Sequence, residues 1–168
     1  MRIFLFLILT INLMANSFDS LLLKTQAMIF PKIILLDKDI KSKIFDNKIV
    51  FSIVYTESEL SKAEQLKSMI DKEYMSKLDK YDFEVQLINE KQFFEDTRST
   101  SYYLFNSSIV TKYKKNRIYF GYDYKNLNEN ILISLFVKEK TYIYLNKIAL
   151  SKYNIRFLPV FYKIARPK

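Results

Sequence analysis

The sequence predicts an α/β domain, a layered sandwich with a mixed, mostly parallel sheet, flanking helices and a C-terminal hairpin. Segments typical of strands alternate with segments of helical spacing, an order in which successive strands usually run parallel. Two strong strand patterns are then separated only by residues 138–140, which is too short for a crossover and predicts a hairpin. The chain has 168 residues and is 49% hydrophobic, which is enough for one domain with a substantial core.

The first seventeen residues have the pattern of a secretory signal peptide. Arg2 supplies a positive start, residues 3–14 are mostly apolar, and Ala15-Asn16-Ser17 places small residues where a signal peptidase reads them. The apolar run is shorter than the roughly 20 residues that a membrane-spanning helix needs. We therefore predict cleavage near Ser17 and a single periplasmic domain over 18–168.

A helix and a buried strand are expected to open this domain. Ser20 to Phe30 has apolar residues at helical spacing, and Pro31 is expected to end the helix. Residues 33–44 favour neither helix nor strand. Ile49 to Tyr55 is apolar and rich in β-branched residues, which predicts a strand buried on both faces.

The clearest helix follows this strand. Ser61 and Glu64 match a capping box, and the apolar stripe after it consists of Ala63, Leu66, Ile70 and Tyr74. The next predicted elements are strands Phe83–Leu87 and Tyr102–Phe105, a basic helix from Ser107 or Ser108 to Lys115, and a strand from Arg117 to Tyr122. The hairpin strands Ile131–Val137 and Thr141–Leu145 follow. Two helices end the chain, a short one to Tyr153 capped by Asn146 and a final one, Phe157–Ala165, with Pro159 in its first turn.

Composition excludes most familiar catalytic chemistry. The chain has no histidine and no cysteine, which excludes Ser-His-Asp triads, disulfides and thiolate or imidazole metal sites. Its single glycine, Gly121, excludes the glycine-rich loops that bind nucleotide phosphates. The net charge of +9 favours a basic surface, but export makes nucleic acid an unexpected partner. We expect no cofactor and no metal.

Acidic residues are candidates for acid–base catalysis. They form four close pairs, namely Asp37/Asp39, Glu57/Glu59, Asp71/Glu73 and Glu95/Asp96. Paired carboxylates catalyse proton transfer when burial drives their pKa values apart. Here all four pairs lie in polar or turn-like sequence, so we expect solvated, non-catalytic side chains.

A ligand crevice is predicted where two strands end. In open α/β sheets, ligands bind beyond the carboxyl ends of the strands, close to helix N-termini. The residues at these positions are Tyr55, Thr56, Asn106, Ser107 and Ser108. Small hydroxyl and amide groups suit binding rather than turnover, and simple helix capping explains the same residues equally well.

The C-terminal third resembles a known family. The hairpin over 131–146 with its short polar turn, followed by Ala149, is similar to the closing hairpin and short helix of the YfiR-like family of periplasmic regulators. The final apolar pattern of that family is matched by Ile155, Phe157, Phe161, Ile164 and Ala165, and its aromatic-proline pair by Phe30-Pro31. The resemblance makes Asn146, Ala149, Phe161 and Ala165 structural motif residues. We also expect Tyr144, Leu145 and Ile164 to pack the final helices onto the hairpin.

The resemblance implies regulation rather than catalysis. Such proteins bind and restrain a membrane-bound signalling partner, typically a diguanylate cyclase with an extracytoplasmic sensing domain, and so lower cyclic-di-GMP and biofilm formation. The first-choice contact residues are Phe30 and Pro31, with Tyr102 and Tyr103 second, because exposed aromatic residues anchor many interfaces. The rival interpretation is that Phe30 only closes the core.

Other functions stay open at this point. The chain could be a periplasmic small-molecule binding module or an envelope structural protein, and an enzyme is the least favoured class. Homodimerisation is also left open.

Overall fold

An eight-stranded sheet forms the centre of the computed structural model, which describes residues 19–110, 114–128 and 130–168. Its strands are β1 (Lys48–Tyr55), β2 (Lys77–Leu78), β3 (Tyr81–Asn89), β4 (Ser101–Leu104), β5 (Ile118–Gly121), β6 (Ile133–Val137), β7 (Thr141–Leu145) and β8 (Ala165–Pro167). The order across the sheet is β2-β3-β1-β4-β5-β6-β7-β8. Only the β2–β3 and β6–β7 pairs are antiparallel. The predicted α/β class, with a mixed, mostly parallel sheet and a C-terminal hairpin, is confirmed.

Helices cover both faces of this sheet. They are α1 (19–34), α2 (Leu60–Tyr74), α3 (Glu90–Glu95), α4 (Lys147–Tyr153) and α5 (Pro159–Ile164). Phe30 of α1 stacks on Phe120 of β5, with 4.4 Å between ring centroids, whereas Tyr153 of α4 stacks on the adjacent Tyr119 at 4.7 Å. Because successive residues of a strand point to opposite faces, α1 and α4 lie on opposite sides of the sheet.

The first helix does not end at Pro31 as the sequence predicts. It continues to residue 34, and both Ile33 and Ile34 are buried in the core. Pro31 lacks the N–H that would bond to the preceding turn. Burial of the two isoleucines outweighs that missing hydrogen bond, since each buried aliphatic side chain contributes about 1.5–3 kcal/mol.

The second helix begins differently from the prediction. Its capping box is Thr56/Glu59 rather than Ser61/Glu64, and the Thr56 N–H donates to the Glu59 carboxylate at 2.9 Å. A 3₁₀ turn, Glu57–Glu59, precedes α2, so that Ser61 already lies within the helix. The predicted stripe is confirmed, because Ala63, Leu66 and Ile70 are fully buried and Tyr74 is half-buried.

The predicted basic helix after Ser107 is wrong in the part that the structure describes. A single 3₁₀ turn, Ser107–Ile109, follows β4, and Val110 leaves the helical region with φ −80° and ψ 79°. Ile109 and Val110 are both buried, so packing of this link against the core replaces a solvated helix. Residues 111–113 of the predicted helix and the predicted signal peptide, 1–17, lie outside the described residues.

The C-terminal third follows the prediction closely. Asn146 begins α4, and its side-chain oxygen accepts the N–H groups of Ile148 at 2.9 Å and Ala149 at 3.1 Å. Leu145, Ala149 and Phe161 are buried and Tyr144 is half-buried, whereas Ile164 is 52% exposed and does not pack as expected. The final helix is shorter than predicted, because Ala165 leaves it to pair with Ile143 as the start of β8.

The only glycine of the chain is required by close packing. A Cβ atom on Gly121 would lie 2.7 Å from Cγ2 of Ile131, which is too close for any other residue without movement of that side chain. The absence of a side chain here lets β5 and the segment before β6 approach each other.

Candidate functional site

The carboxyl edge of the sheet is the natural position for a site in this topology. From β1 the chain turns towards β3 on one side of the sheet, whereas β4, β5 and β6 extend it on the other side. The β1–β4 boundary is therefore the switch point at which doubly wound sheets bind ligands. Tyr55 ends β1 and Thr56 follows it, whereas Asn106 to Ser108 follow β4. The last residues that pair between these two strands are Val54 and Leu104.

The polar groups of this predicted crevice make local hydrogen bonds. Thr56 Oγ1 donates to the Glu59 carboxylate at 2.9 Å, and Asn106 Oδ1 accepts the Ser108 N–H at 3.0 Å. Ser107 Oγ accepts from Asn128 Nδ2 at 2.6 Å. The Thr56 and Asn106 contacts are the capping and turn contacts of the alternative interpretation, whereas the Ser107 contact joins two loops that are distant in the sequence. A ligand at this point remains a prediction.

A buried amide links the helix layer to this edge. Gln26 of α1 is fully buried, and its Oε1 accepts the Tyr103 hydroxyl at 2.7 Å. Its Nε2 donates to the Tyr122 carbonyl at 2.7 Å, directly beyond β5. Because both ends of the amide are satisfied, Gln26 fixes the spacing between α1, β4 and the loop after β5.

An ion pair lies beside this link. Lys62 Nζ of α2 is 2.9 Å from Asp19 Oδ2 at the start of the described chain, and it also lies 5.2 Å from the centroid of the Tyr122 ring. The hydrogen bond from Lys62 lowers the pKa of Asp19. Burial, followed by the nearby Asp19 carboxylate, raises the pKa of Tyr122. Among the residues that the structure describes, the Tyr122 hydroxyl has no partner within hydrogen-bond geometry.

A small cavity of about 160 Å³ opens next to Tyr122, between the ends of β5 and β6. Asp19, Tyr122 and Asp123 supply its polar groups, and Tyr124 and Phe136 supply aromatic walls. Its size suits a few ordered waters or a very small molecule rather than a cofactor.

The aromatic walls continue as a surface over the hairpin. We define the aromatic surface as Tyr122, Tyr124, Phe136, Tyr142 and Tyr144, all of which are half-buried. Phe136 and Tyr142 are directly opposite each other on the paired strands β6 and β7, and Ser134 faces Tyr144. The ring centroids of Tyr124 and Tyr144 are 5.6 Å apart and stacked.

Three cations lie over these rings. The Arg166 guanidinium is 3.8 Å from the centroid of Tyr142, Lys168 Nζ is 5.6 Å from that of Tyr124, and Lys62 covers Tyr122 as described. Each contact stabilises the position of the cation by about 0.5–1 kcal/mol at an exposed site. The result is a half-exposed patch of tyrosine rings and ordered positive charges.

The contact residues chosen from the sequence do not form such a patch. Phe30, Tyr102 and Tyr103 are fully buried, and Pro31 is buried as well. The prediction that these side chains are exposed is wrong. Helices α1 and α3 cover β4 from opposite faces and bury them. Phe30 instead closes the core, as the rival interpretation holds.

A buried hydroxyl cluster lies on the other side of β1. Ser52 Oγ and Ser99 Oγ share a hydrogen bond, and Gln86 Nε2 donates to Ser52 Oγ at 2.7 Å and to Ser99 Oγ at 3.1 Å. A serine nucleophile needs an adjacent general base, and the partner here is an amide. The cluster therefore joins β1, β3 and the segment before β4 without offering catalysis.

One of the acidic pairs differs from the prediction of solvated carboxylates. Asp37 is buried and pairs with the buried ammonium group of Lys43, while Asp39 forms a bidentate pair with Arg156 at 2.6 and 3.0 Å. This pair could not be predicted, because Lys43 lies in the segment whose pattern favours neither helix nor strand.

Asp96 is held as a carboxylate by its neighbours. Burial acts to raise its pKa, but hydrogen bonds from Ser99 and from the Tyr102 hydroxyl, which is 2.5 Å away, outweigh burial and lower it. The Lys114 ammonium donates to the carbonyls of Phe93, at 2.6 Å, and of Asp96, which fixes this corner of the fold.

Asp96→Asn is expected to reduce stability at neutral pH by about 1 kcal/mol, at the low end for a charged hydrogen bond because the group is half-exposed. A lowered folded-state pKa contributes stability above the unfolded value of about 3.9 and loses it as the pH falls through the folded value. Urea unfolding should therefore show a larger difference at pH 7 than at pH 3. Glu95→Gln, next to it and exposed, is the control. An equal difference at both pH values would contradict the assignment.

Comparison with known proteins adds no relative to this description. No protein-family model matches the chain, and no characterised protein matches it. Within the described ranges, no helix is both long and apolar enough to cross a membrane. The same residues contain no group of three acidic side chains placed to hold a metal ion.

Proposed function

We propose that this chain is a non-catalytic regulatory protein of the cell envelope, which binds and restrains the extracytoplasmic part of a membrane signalling protein. A diguanylate cyclase is the proposed class of partner. The proposal rests on the signal-peptide pattern of residues 1–17 and on the resemblance of the C-terminal third to periplasmic regulators. Export of the domain is part of the same proposal.

The aromatic surface is the single observation that supports it best. Interface hot spots are enriched in tyrosine and arginine, and tyrosine buries a large area at low entropic cost. Tyr142, Tyr144 and Arg166 are of these types, they are adjacent on β7 and β8, and the rings are only half-buried. The rigid sheet beneath them holds the side chains in place before a partner arrives, which lowers the cost of binding.

The polar groups of the fold support binding over turnover. Gln26, Thr56 and Asn106 are all used in structural hydrogen bonds at the carboxyl edge. The buried hydroxyls of Ser52 and Ser99 are bonded to each other and to an amide rather than to a general base. The Thr56 hydroxyl is paired with the Glu59 carboxylate, but this carboxylate also accepts the Thr56 N–H, which makes the pair a helix cap.

Deletion of the gene is expected to raise cyclic-di-GMP and surface attachment, and the wild-type gene should restore both. A gene carrying Tyr142→Ser and Arg166→Ser should fail to restore them, because loss of a hot spot weakens binding by about thirtyfold or more. The measurements are the cyclic-di-GMP level and attachment, with protein abundance followed by immunoblotting.

Phe94→Ser is the matched control, since Phe94 is 47% exposed on α3 and lies outside the aromatic surface. It should restore both readouts. Unchanged cyclic-di-GMP and attachment on deletion would exclude the proposed function. Full restoration by the Tyr142→Ser, Arg166→Ser gene would instead exclude this surface.

A further inference from the structure

Helix α5 has apolar side chains on its solvent side as well as on its core side. Phe161 is fully buried against Phe157, with 4.3 Å between ring centroids. Val160, Tyr162 and Ile164 nevertheless remain 50%, 46% and 52% exposed. A surface helix normally turns polar residues outward, so this apolar solvent side is a candidate contact surface.

The C-terminal segment that contains this helix carries charges of one sign, of which Arg156 is paired with Asp39. After Glu139 the chain contains no acidic residue, and its charged side chains are Lys140, Lys147, Lys152, Arg156, Lys163, Arg166 and Lys168. Lys163 lies within α5 between the exposed Tyr162 and Ile164, and it makes no ion pair with any residue that the structure describes. An occupant of this face must therefore be both apolar and negatively charged.

Addition of a partner strand at the neighbouring sheet edge is disfavoured. The Ala165 N–H in β8 donates to the Phe161 carbonyl, and Pro167 has no N–H. Two of the three residues of this edge strand thus offer no donor to an incoming strand. A second copy of the chain is disfavoured as well, because it would bring two sets of like charges together.

We propose that the α5 face, defined as Leu158, Val160, Tyr162, Lys163 and Ile164, binds the surface of a membrane that contains anionic phospholipid. Aliphatic side chains insert at the boundary between headgroups and acyl chains, tyrosine is favoured there, and lysine and arginine attract the headgroups. Valine and leucine are under-represented among protein hot spots, which favours a lipid surface over an acidic protein. This inference uses a different face from the aromatic surface and does not depend on the proposed function.

The test is sedimentation of the full chain with vesicles of phosphatidylcholine alone or phosphatidylcholine mixed with phosphatidylglycerol. Binding to phosphatidylcholine alone is the baseline, because residues 3–14 are themselves mostly apolar. The expected result is stronger binding to the mixed vesicles, weakened by salt. Lys163→Gln should reduce the additional binding to phosphatidylglycerol-containing vesicles by about fivefold. The double variant Val160→Ser, Ile164→Ser should reduce it by about tenfold or more.

Two variants control for general loss of charge and apolar area. Lys72→Gln removes an exposed lysine from α2, and Met75→Ser removes a side chain that is 80% exposed. Both should bind like the wild type. Thermal melting shows whether the double variant is folded, and Lys163→Gln changes only an exposed charge.

Equal binding to both kinds of vesicle would overturn the proposal. So would α5 variants that bind the phosphatidylglycerol-containing vesicles as strongly as the wild type does. A solution dimer that the double variant dissociates, without any phosphatidylglycerol-dependent binding, would assign the face to a second copy and would also overturn it.

Discussion

Phe30→Ala is expected to lower the free energy of unfolding by about 3–5 kcal/mol, because it empties the centre of the core between α1 and the sheet. Phe30 has no exposed surface, and its ring centroid lies 4.4 Å from that of Phe120 and 6.0 Å from that of Tyr103. A loss of this size is a large part of the roughly 5–15 kcal/mol that stabilises a domain. Urea unfolding followed by circular dichroism measures it.

Phe94→Ala provides the comparison for this variant. Phe94 is 47% exposed on α3, so its replacement should change stability by only about 0.5 kcal/mol. If Phe30→Ala were as stable as the wild type and yet lost regulation, Phe30 would be a contact residue after all. A large loss of stability identifies it as a core residue.

The strands could be predicted because their signals are local. Short, mostly apolar runs indicate β1 and β6, as in strands buried on both faces. Alternation over Phe83–Leu87 indicates β3, because it matches the two-residue period of a strand. The shortest strands have too few residues to show a periodic pattern. Strand β2 has two residues, and β8 follows directly after a helix, so neither gives a period that could be read.

Helix boundaries were harder, because several residues can begin a helix and packing decides among them. The sequence offers Thr56/Glu59 and Ser61/Glu64 as capping boxes, and the structure uses the earlier one. A third box, Asn89/Gln92, begins the six-residue α3 and could have been recognised from its spacing.

The candidate site shows where local patterns stop being informative. Its position at the β1–β4 boundary follows from the order of elements, which the sequence predicts. The side chains that build it come from distant parts of the chain, since Gln26 of α1 bonds to Tyr103 of β4. The aromatic surface over the hairpin also depends on a distant residue, because Arg166 lies over Tyr142. Sequence alone also does not distinguish the buried Tyr102 and Tyr103 from the half-exposed tyrosines of the hairpin.

The largest electrostatic effect should come from the buried pair of Asp37 and Lys43. Their side chains are only 1% and 2% exposed, and Asp37 Oδ1 also accepts the Asp39 N–H at 3.0 Å. Asp37 lies just after α1, and a β-bridge joins it to Phe157. The pair therefore connects the first helix to the segment that precedes α5.

Lys43→Met is expected to destabilise the protein by about 3–5 kcal/mol at neutral pH, because it leaves the Asp37 carboxylate buried without its counter-ion. Adding Asp37→Asn removes the uncompensated charge while keeping an acceptor for the Asp39 N–H. The double variant should therefore regain most of the lost stability, since neutralising both partners avoids the penalty that breaking one of them creates. Urea midpoints of the wild type, both single variants and the double variant form the complete cycle. Additive losses in the double variant would show that the two side chains do not act as a pair.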